Sequence, residues 1–177
     1  MKLNIEQALA LASDTKALKI GCNVLNAIPA LFKEVFGEKK AIVVTDITTW
    51  KIAGEKVREH LIRENIDNVV PYIFDSLKLD AEFNNVLKLE EALKTNDAIP
   101  IVVGGGTLND LTKLASSHLG RPYMCVPTAA AMDGYAAFGA SITYKGMKQT
   151  FSCPAPMAIV ADIEIIRNAP SFMNASG

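Results

Sequence analysis

Three consecutive glycines, Gly104–Gly106, followed by Thr107, Asn109 and Asp110, separate an aliphatic run from an amphipathic one in IPIVVGGGTLNDLTKLASSHLG, residues 99–120. Where a helix begins, unpaired backbone amides and roughly half a positive charge make a seat for phosphate. Glycine lets a ligand approach the backbone closely, or takes up positive φ in a tight turn. The pattern is neither G-x-G-x-x-G nor G-x-x-x-x-G-K-[ST]. On this stretch alone a phosphate cradle and a plain turn both stand. Asp46 closes KKAIVVTD, residues 39–46. A carboxylate at such a strand end can accept both hydroxyls of an adenosine ribose and would repel a 2′-phosphate; it can equally cap the helix that follows. In VPTAAAMDGYAAFGAS, residues 126–141, Asp133 is the single charged side chain among small ones. That isolation marks either a cap or a ligand contact.

Metal and thiol chemistry has less support. His60 and His118 fall in separate polar helical patterns, without a carboxylate cluster at ligand spacing, so both read as surface histidines and no metal ligand is expected in these residues. Cys22, Cys125 and Cys153 are scattered, with no C-x-x-C pair, and suggest reduced thiols of a cytoplasmic protein.

The elements that must position the first group alternate. Nearly continuous aliphatic runs at 39–46, 68–74, 98–105, 122–128 and 156–162 predict parallel strands covered on both faces. Helical patterns lie between them. One runs over 23–37 and ends at Gly37; one over 49–65 carries Ile52, Val57, Leu61 and Ile62; one over 80–96 opens at Asp80 as N-cap; one runs from Thr107 to Gly120. The expected class is α/β, a Rossmann-like parallel sheet with helices on both faces. ASITYKGMKQTF, residues 140–151, inserts a β-hairpin turning at Lys145-Gly146, as a site element or an edge decoration.

The chain has 177 residues, half of them apolar and 21% charged, with a net charge of −1. One domain over 1–177 accounts for that length. The charge balance argues against nucleic acid as partner. No apolar run reaches the length of a membrane helix, and MKLNIEQALALASDTK mixes too many polar groups for a signal peptide.

GGGTLNDLTK, VPTAAAMDGYAAFGASIT and PAPMAIVADIEIIRNAP together resemble the glycerol-1-phosphate dehydrogenase family, whose relatives include glycerol dehydrogenase, dehydroquinate synthase and the iron-containing alcohol dehydrogenases. The likeness runs from about KKAIVVTD to the end. It implies that Gly104, Gly105, Gly106 and Thr107 hold the pyrophosphate of NAD or NADP, that Asp46 contacts the adenosine ribose, and that Thr128 lines the cofactor groove. It implies that Asp133 reaches toward substrate and nicotinamide as the catalytic residue, that Asp110 orders the turn or a ribose, and that Lys148 lies near the reacting end of the cofactor. The reaction implied is reduction of dihydroxyacetone phosphate to sn-glycerol 1-phosphate, a step of phospholipid metabolism. Hydride moves between the nicotinamide and a carbonyl that a divalent metal, zinc or nickel in the full-length enzyme, polarises. Ala137 stands where many relatives have a serine bonded to the cofactor. The family's metal site, one aspartate and two histidines, belongs to a C-terminal helical domain, and this chain stops at Gly177 before it. The expectation is therefore a nucleotide-binding half, inactive alone, that self-associates or pairs with a helical domain and acts on a small phosphorylated substrate. Relatives of dehydroquinate-synthase or polyol-dehydrogenase type, and a non-catalytic nucleotide-binding module, are the alternatives.

Overall fold

The structure is a computed structural model and describes residues 4–176; Met1, Lys2, Leu3 and Gly177 of the 1–177 domain expectation lie outside the described residues. Strands β1 (Ala17–Gly21), β2 (Ala41–Asp46), β3 (Tyr72–Phe74), β4 (Ile99–Gly104), β5 (Met124–Pro127) and β8 (Ala158–Asp162) form one parallel sheet in the order β1-β8-β5-β4-β2-β3. Strands β6 (Ala140–Tyr144) and β7 (Met147–Phe151) form the separate antiparallel hairpin. The helices are α1 (Ile5–Leu11), α2 (Ile28–Phe36), α3 (Ile47–Thr49), α4 (Glu55–Arg63), α5 (Phe83–Lys94), α6 (Gly106–His118), α7 (Ile163–Arg167) and α8 (Ser171–Asn174). None of the described helices is long and apolar enough to cross a membrane.

The continuous aliphatic runs follow from burial on both faces. Successive residues of β2 alternate: Ile42 and Val44 join a core with α5, α6 and the hairpin, while Ala41 and Val43 join one with α2 and α4. The hairpin is therefore a packing layer, since Ala140 and Ile142 are buried in the first core and Tyr144 and Phe151 pack on Phe83. Its turn has Lys145 at φ 52° and Gly146 at φ 77°, the two left-handed residues of a tight I′ hairpin. Gly37 and Gly120 end their helices at φ 66° and 60°.

Four expectations shift. β1 is an added edge strand, paired with β8 alone. Asn68 makes only an isolated bridge to Ala41, and the ladder resumes at Tyr72, because Pro71 has no N–H to donate. α5 begins at Phe83 with Glu82 as N-cap, not at Asp80: the hairpin holds residues 81–82 extended, with the Thr143 amide donating to Ala81 O at 2.7 Å. Ile52 and Ile62 are exposed, so only Val57 and Leu61 of that pattern reach the core. A π-helical turn, Trp50–Gly54, rotates the helix phase between α3 and α4.

Candidate functional site

β2 leads outward to β3, whereas β4 leads the other way to β5, yet β2 and β4 are neighbours. This is a topological switch point, where the crevice beyond the carboxyl ends of a parallel sheet receives ligands. Val44 and Val102 form the last paired rung of the two strands, and each strand runs two residues further, to Asp46 and Gly104. Asp46 and the glycine turn thus flank one crevice.

Gly105 is the N-cap of α6, with φ −81° and ψ −170°, and the first intrahelical bond is Asn109 N to Gly105 O at 3.0 Å. The amides of Gly106, Thr107 and Leu108 therefore have no partner within the helix and point out of its first turn. None of the three glycines has positive φ. What they supply is space. A Cβ on Gly104 would come within 2.3 Å of Leu108 Cδ1, and one on Gly106 within 2.3 Å of Met132 Sδ, whereas one on Gly105 would meet only Met173 Cε, at 3.8 Å. Gly104 lets the helix close onto the strand, Gly106 lies under Met132, and Gly105 faces open space.

Asp46 fills the capping role with one oxygen and leaves the other uncommitted. Its Oδ1 accepts from Thr49 N at 2.7 Å and from Thr49 Oγ1 at 3.0 Å, while its own amide donates to Thr49 Oγ1 at 3.2 Å, a capping box on α3. Oδ2 has no hydrogen-bond partner among the described residues and is the oxygen left for a ligand. Thr128 is buried, and its amide donates to Gly104 O at 3.1 Å, which joins the end of β5 to the turn. From there the chain runs through Ala130, whose amide donates to Asn174 Oδ1 at 2.9 Å, to Met132 over Gly106 and to Asp133. Asp133 is exposed, and its side chain does not cap the short 3-10 turn Gly134–Ala136 that it precedes.

Asp46, Gly104, Gly105, Gly106, Thr107 and Thr128 are thus gathered around the crevice, with Asp133 at the end of the segment leading from it. Asp110 and Lys148 stand apart, on the hairpin side. Asp110 accepts from Ser141 N at 3.1 Å; burial pushes its carboxyl upward, and that amide, Lys113 and Lys148 partly offset the shift. Lys148 is exposed on β7 and makes no ion pair among the described residues. His118 is exposed but not idle: its Nδ1 lies 2.6 Å from Oε1 of the buried Glu90. Among the described residues no three His, Cys, Asp or Glu side chains converge as a metal site.

Two adjoining clefts of about 340 and 380 Å³ open at the other end of the sheet, sharing Gly120, Arg121, Pro122 and Met157. The Arg121 guanidinium beside them is already bonded to the carbonyls of Leu93, Asn96 and Ala98. The carboxyl-end crevice offers instead the unpaired first-turn amides of α6 and, from the neighbouring β2, the unengaged Oδ2 of Asp46.

Sequence reasoning passed over Lys113. It is 1% exposed, and its ammonium donates to the carbonyls of Gly134, Ala137 and Gly139 at 3.3, 2.8 and 3.0 Å. A lysine flanked by Leu111, Leu114 and Ala115 was the available signal. A helix buried on nearly every side has no solvated face for a cation.

An α/β Rossmann-like fold with its candidate site at the switch point is what this geometry defines. The family model for iron-containing alcohol dehydrogenases matches residues 19–170, and the chain belongs to that family. It is 33% identical over 162 residues to the glycerol-1-phosphate dehydrogenase [NAD(P)+] of Halalkalibacterium halodurans, covering 90% of this chain and 40% of that protein. It is 35% identical over 159 residues to the enzyme of the same name from Pyrococcus furiosus, covering 89% and 44%. The chain therefore spans about two fifths of the length of these relatives. Its fold is that of the glycerol dehydrogenase of Schizosaccharomyces pombe, at a TM-score of 0.78 and 21% identity over 94% of this chain and 42% of that one. The crystal structure of 2-deoxy-scyllo-inosose synthase gives a TM-score of 0.73 at 20% identity, covering 86% of this chain and 45% of that one.

Proposed function

We propose that this chain is the dinucleotide-binding part of an NAD(P)-dependent dehydrogenase of the sn-glycerol-1-phosphate type, acting with dihydroxyacetone phosphate as the carbonyl substrate. One observation carries the reading: the free amides of Gly106, Thr107 and Leu108 open beside the unengaged Oδ2 of Asp46 across the switch-point crevice. The names of the relatives support the choice of substrate over a dehydroquinate-synthase-like one.

The amides seat the diphosphate, since three N–H donors and the positive end of α6 meet two negative charges there. Asp46 accepts the adenosine ribose hydroxyls through Oδ2 while Oδ1 remains committed to Thr49. The carboxylate favours NAD, because a 2′-phosphate would meet like charge at a cost of about 1 kcal/mol or more at short range. Thr128 fixes the end of β5 against the turn, and Asp133 extends toward the nicotinamide and substrate. When bound, the nicotinamide supplies hydride to the carbonyl carbon. The divalent metal that the family's name implies has no donor set among the described residues. The chain acts together with further protein that supplies the metal ligands and most of the substrate-phosphate contacts, and by itself turns nothing over.

Titration calorimetry of the chain with NAD, NADP and ADP tests the reading. NAD and ADP should bind, with NADP weaker than NAD. Absence of heat with all three, from protein whose circular dichroism shows the α/β fold, rejects it, and NADH-dependent reduction of dihydroxyacetone phosphate by the chain alone rejects its dependence on further protein.

A further inference from the structure

Between Ala129 and Ala140 no residue is buried, although the segment carries Asp133. Tyr135, half-buried against the core, and Met132 over Gly106 give it only partial packing, and polar contacts supply the rest. The Tyr135 hydroxyl donates to Ala129 O at 2.8 Å and closes the segment on itself, and the Ala130 amide meets Asn174 at one end. The Gly139 amide donates to Cys153 O at 2.8 Å, and the other anchors come from α6. All three ammonium hydrogens of Lys113 go to carbonyls at 134, 137 and 139, and Asp110, one turn earlier on the helix, takes the amide of Ser141. A cation thus grips carbonyls and an anion grips an amide along one stretch, residues 134–141. Burial penalises both charges, lowering the Lys113 ammonium and raising the Asp110 carboxyl. A helix buried this deeply packs as well with an apolar side chain. The first turn of the same helix carries the free amides.

We propose that Lys113, aided by Asp110, is a positioning residue: by clamping residues 134–141 to the helix whose first turn receives the diphosphate, it sets where Asp133 stands against the nicotinamide half of a bound dinucleotide. This rests on the dinucleotide reading above. Loss of the clamp frees the segment that meets the nicotinamide end and leaves the Asp46 side and the glycine turn in place.

The test compares ADP, which spans only the adenosine and diphosphate half, with NAD. Lys113→Met should bind ADP within about twofold of the parent chain but NAD about tenfold more weakly, with faster amide hydrogen exchange confined to residues 134–141. Lys113→Arg, which keeps the charge and can reach carbonyls, should recover part of the NAD affinity. Should Lys113→Met fail to fold, Lys113→Gln retains two of the three donors and should show the same skew in smaller degree. An equal loss of ADP and NAD affinity, or no change in either, overturns the proposal while leaving the dinucleotide reading intact. A parent chain that binds neither nucleotide overturns both.

Discussion

Replacing Gly105 by alanine separates a ligand cradle from a mere turn. The residue sits at φ −81° and ψ −170°, extended backbone that alanine adopts without strain. Its added methyl would touch only Met173 Cε at 3.8 Å, an ordinary contact. In the unfolded chain the alanine has fewer states to lose, a gain of about 0.4–1 kcal/mol. As an N-cap it is poorer than glycine, by roughly 0.5–1 kcal/mol. The two nearly cancel, and the melting temperature should stay within about 4 °C of the parent. Binding should respond quite differently. The methyl stands beside the amides of Gly106 and Thr107, where a diphosphate must approach to within hydrogen-bond distance. Losing about 2 kcal/mol of that interaction weakens NAD about thirtyfold. Gly104→Ala is the contrasting control, because its methyl would lie 2.3 Å from Leu108 Cδ1 and 2.9 Å from Leu108 Cβ. That variant should lose about 1–3 kcal/mol of stability outright. Thermal melts and NAD titrations on both variants complete the experiment. If Gly105→Ala binds NAD as tightly as the parent, the turn is structural and the cradle argument fails.

Asp46→Asn keeps an oxygen to cap Thr49 but removes the charge; NADP affinity should rise relative to NAD by about fivefold or more, and an unchanged NADP/NAD ratio in titrations would show that Oδ2 does not face the ribose. Asp110→Asn bears on the pH dependence of stability. Because burial raises the folded-state value of Asp110, its stabilising contribution is complete below the ordinary carboxyl value of 3.8 and is lost as pH rises through the raised one. The asparagine variant should lack that decline in chemical denaturation curves taken between about pH 3 and pH 6. Thiol counting with a colorimetric reagent should find one reactive group, Cys22, in the native protein, and all three only in denaturant. Cys22 is exposed, whereas burial encloses Cys125 and Cys153, with the Cys153 thiol pushed up to about 11.

The parallel sheet was legible because burial on both faces writes itself as unbroken aliphatic runs such as AIVV and IPIVV. The helix ends at Gly37 and Gly120 and the Lys145-Gly146 turn were legible because positive φ selects residue type. β1 escaped notice because an edge strand of five residues, only Ala17 of which is buried, carries no such run. The start of α5 was misplaced because a distant hairpin, not the local cap residue, determines where residues 80–82 leave the extended state. At the site, residue types pointed to the switch-point crevice, and the structure gives them partly different local roles. None of the three glycines has positive φ; Gly104 and Gly106 are there for clearance, Gly105 leaves the turn open, and Asp46 caps α3 with one oxygen while the other is unengaged. Lys113 could not be placed from spacing alone, since its partners are backbone carbonyls some 21 to 26 residues further along the chain.

Amide chemical-shift mapping of the isotopically labelled chain during NAD titration tests the central claim most directly. The largest changes should fall on Gly105, Gly106, Thr107 and Leu108, with Asp46 and Thr49 moving alongside them. Changes centred instead on Gly120, Arg121 and Met157, at the clefts beyond the amino ends of the strands, would contradict it.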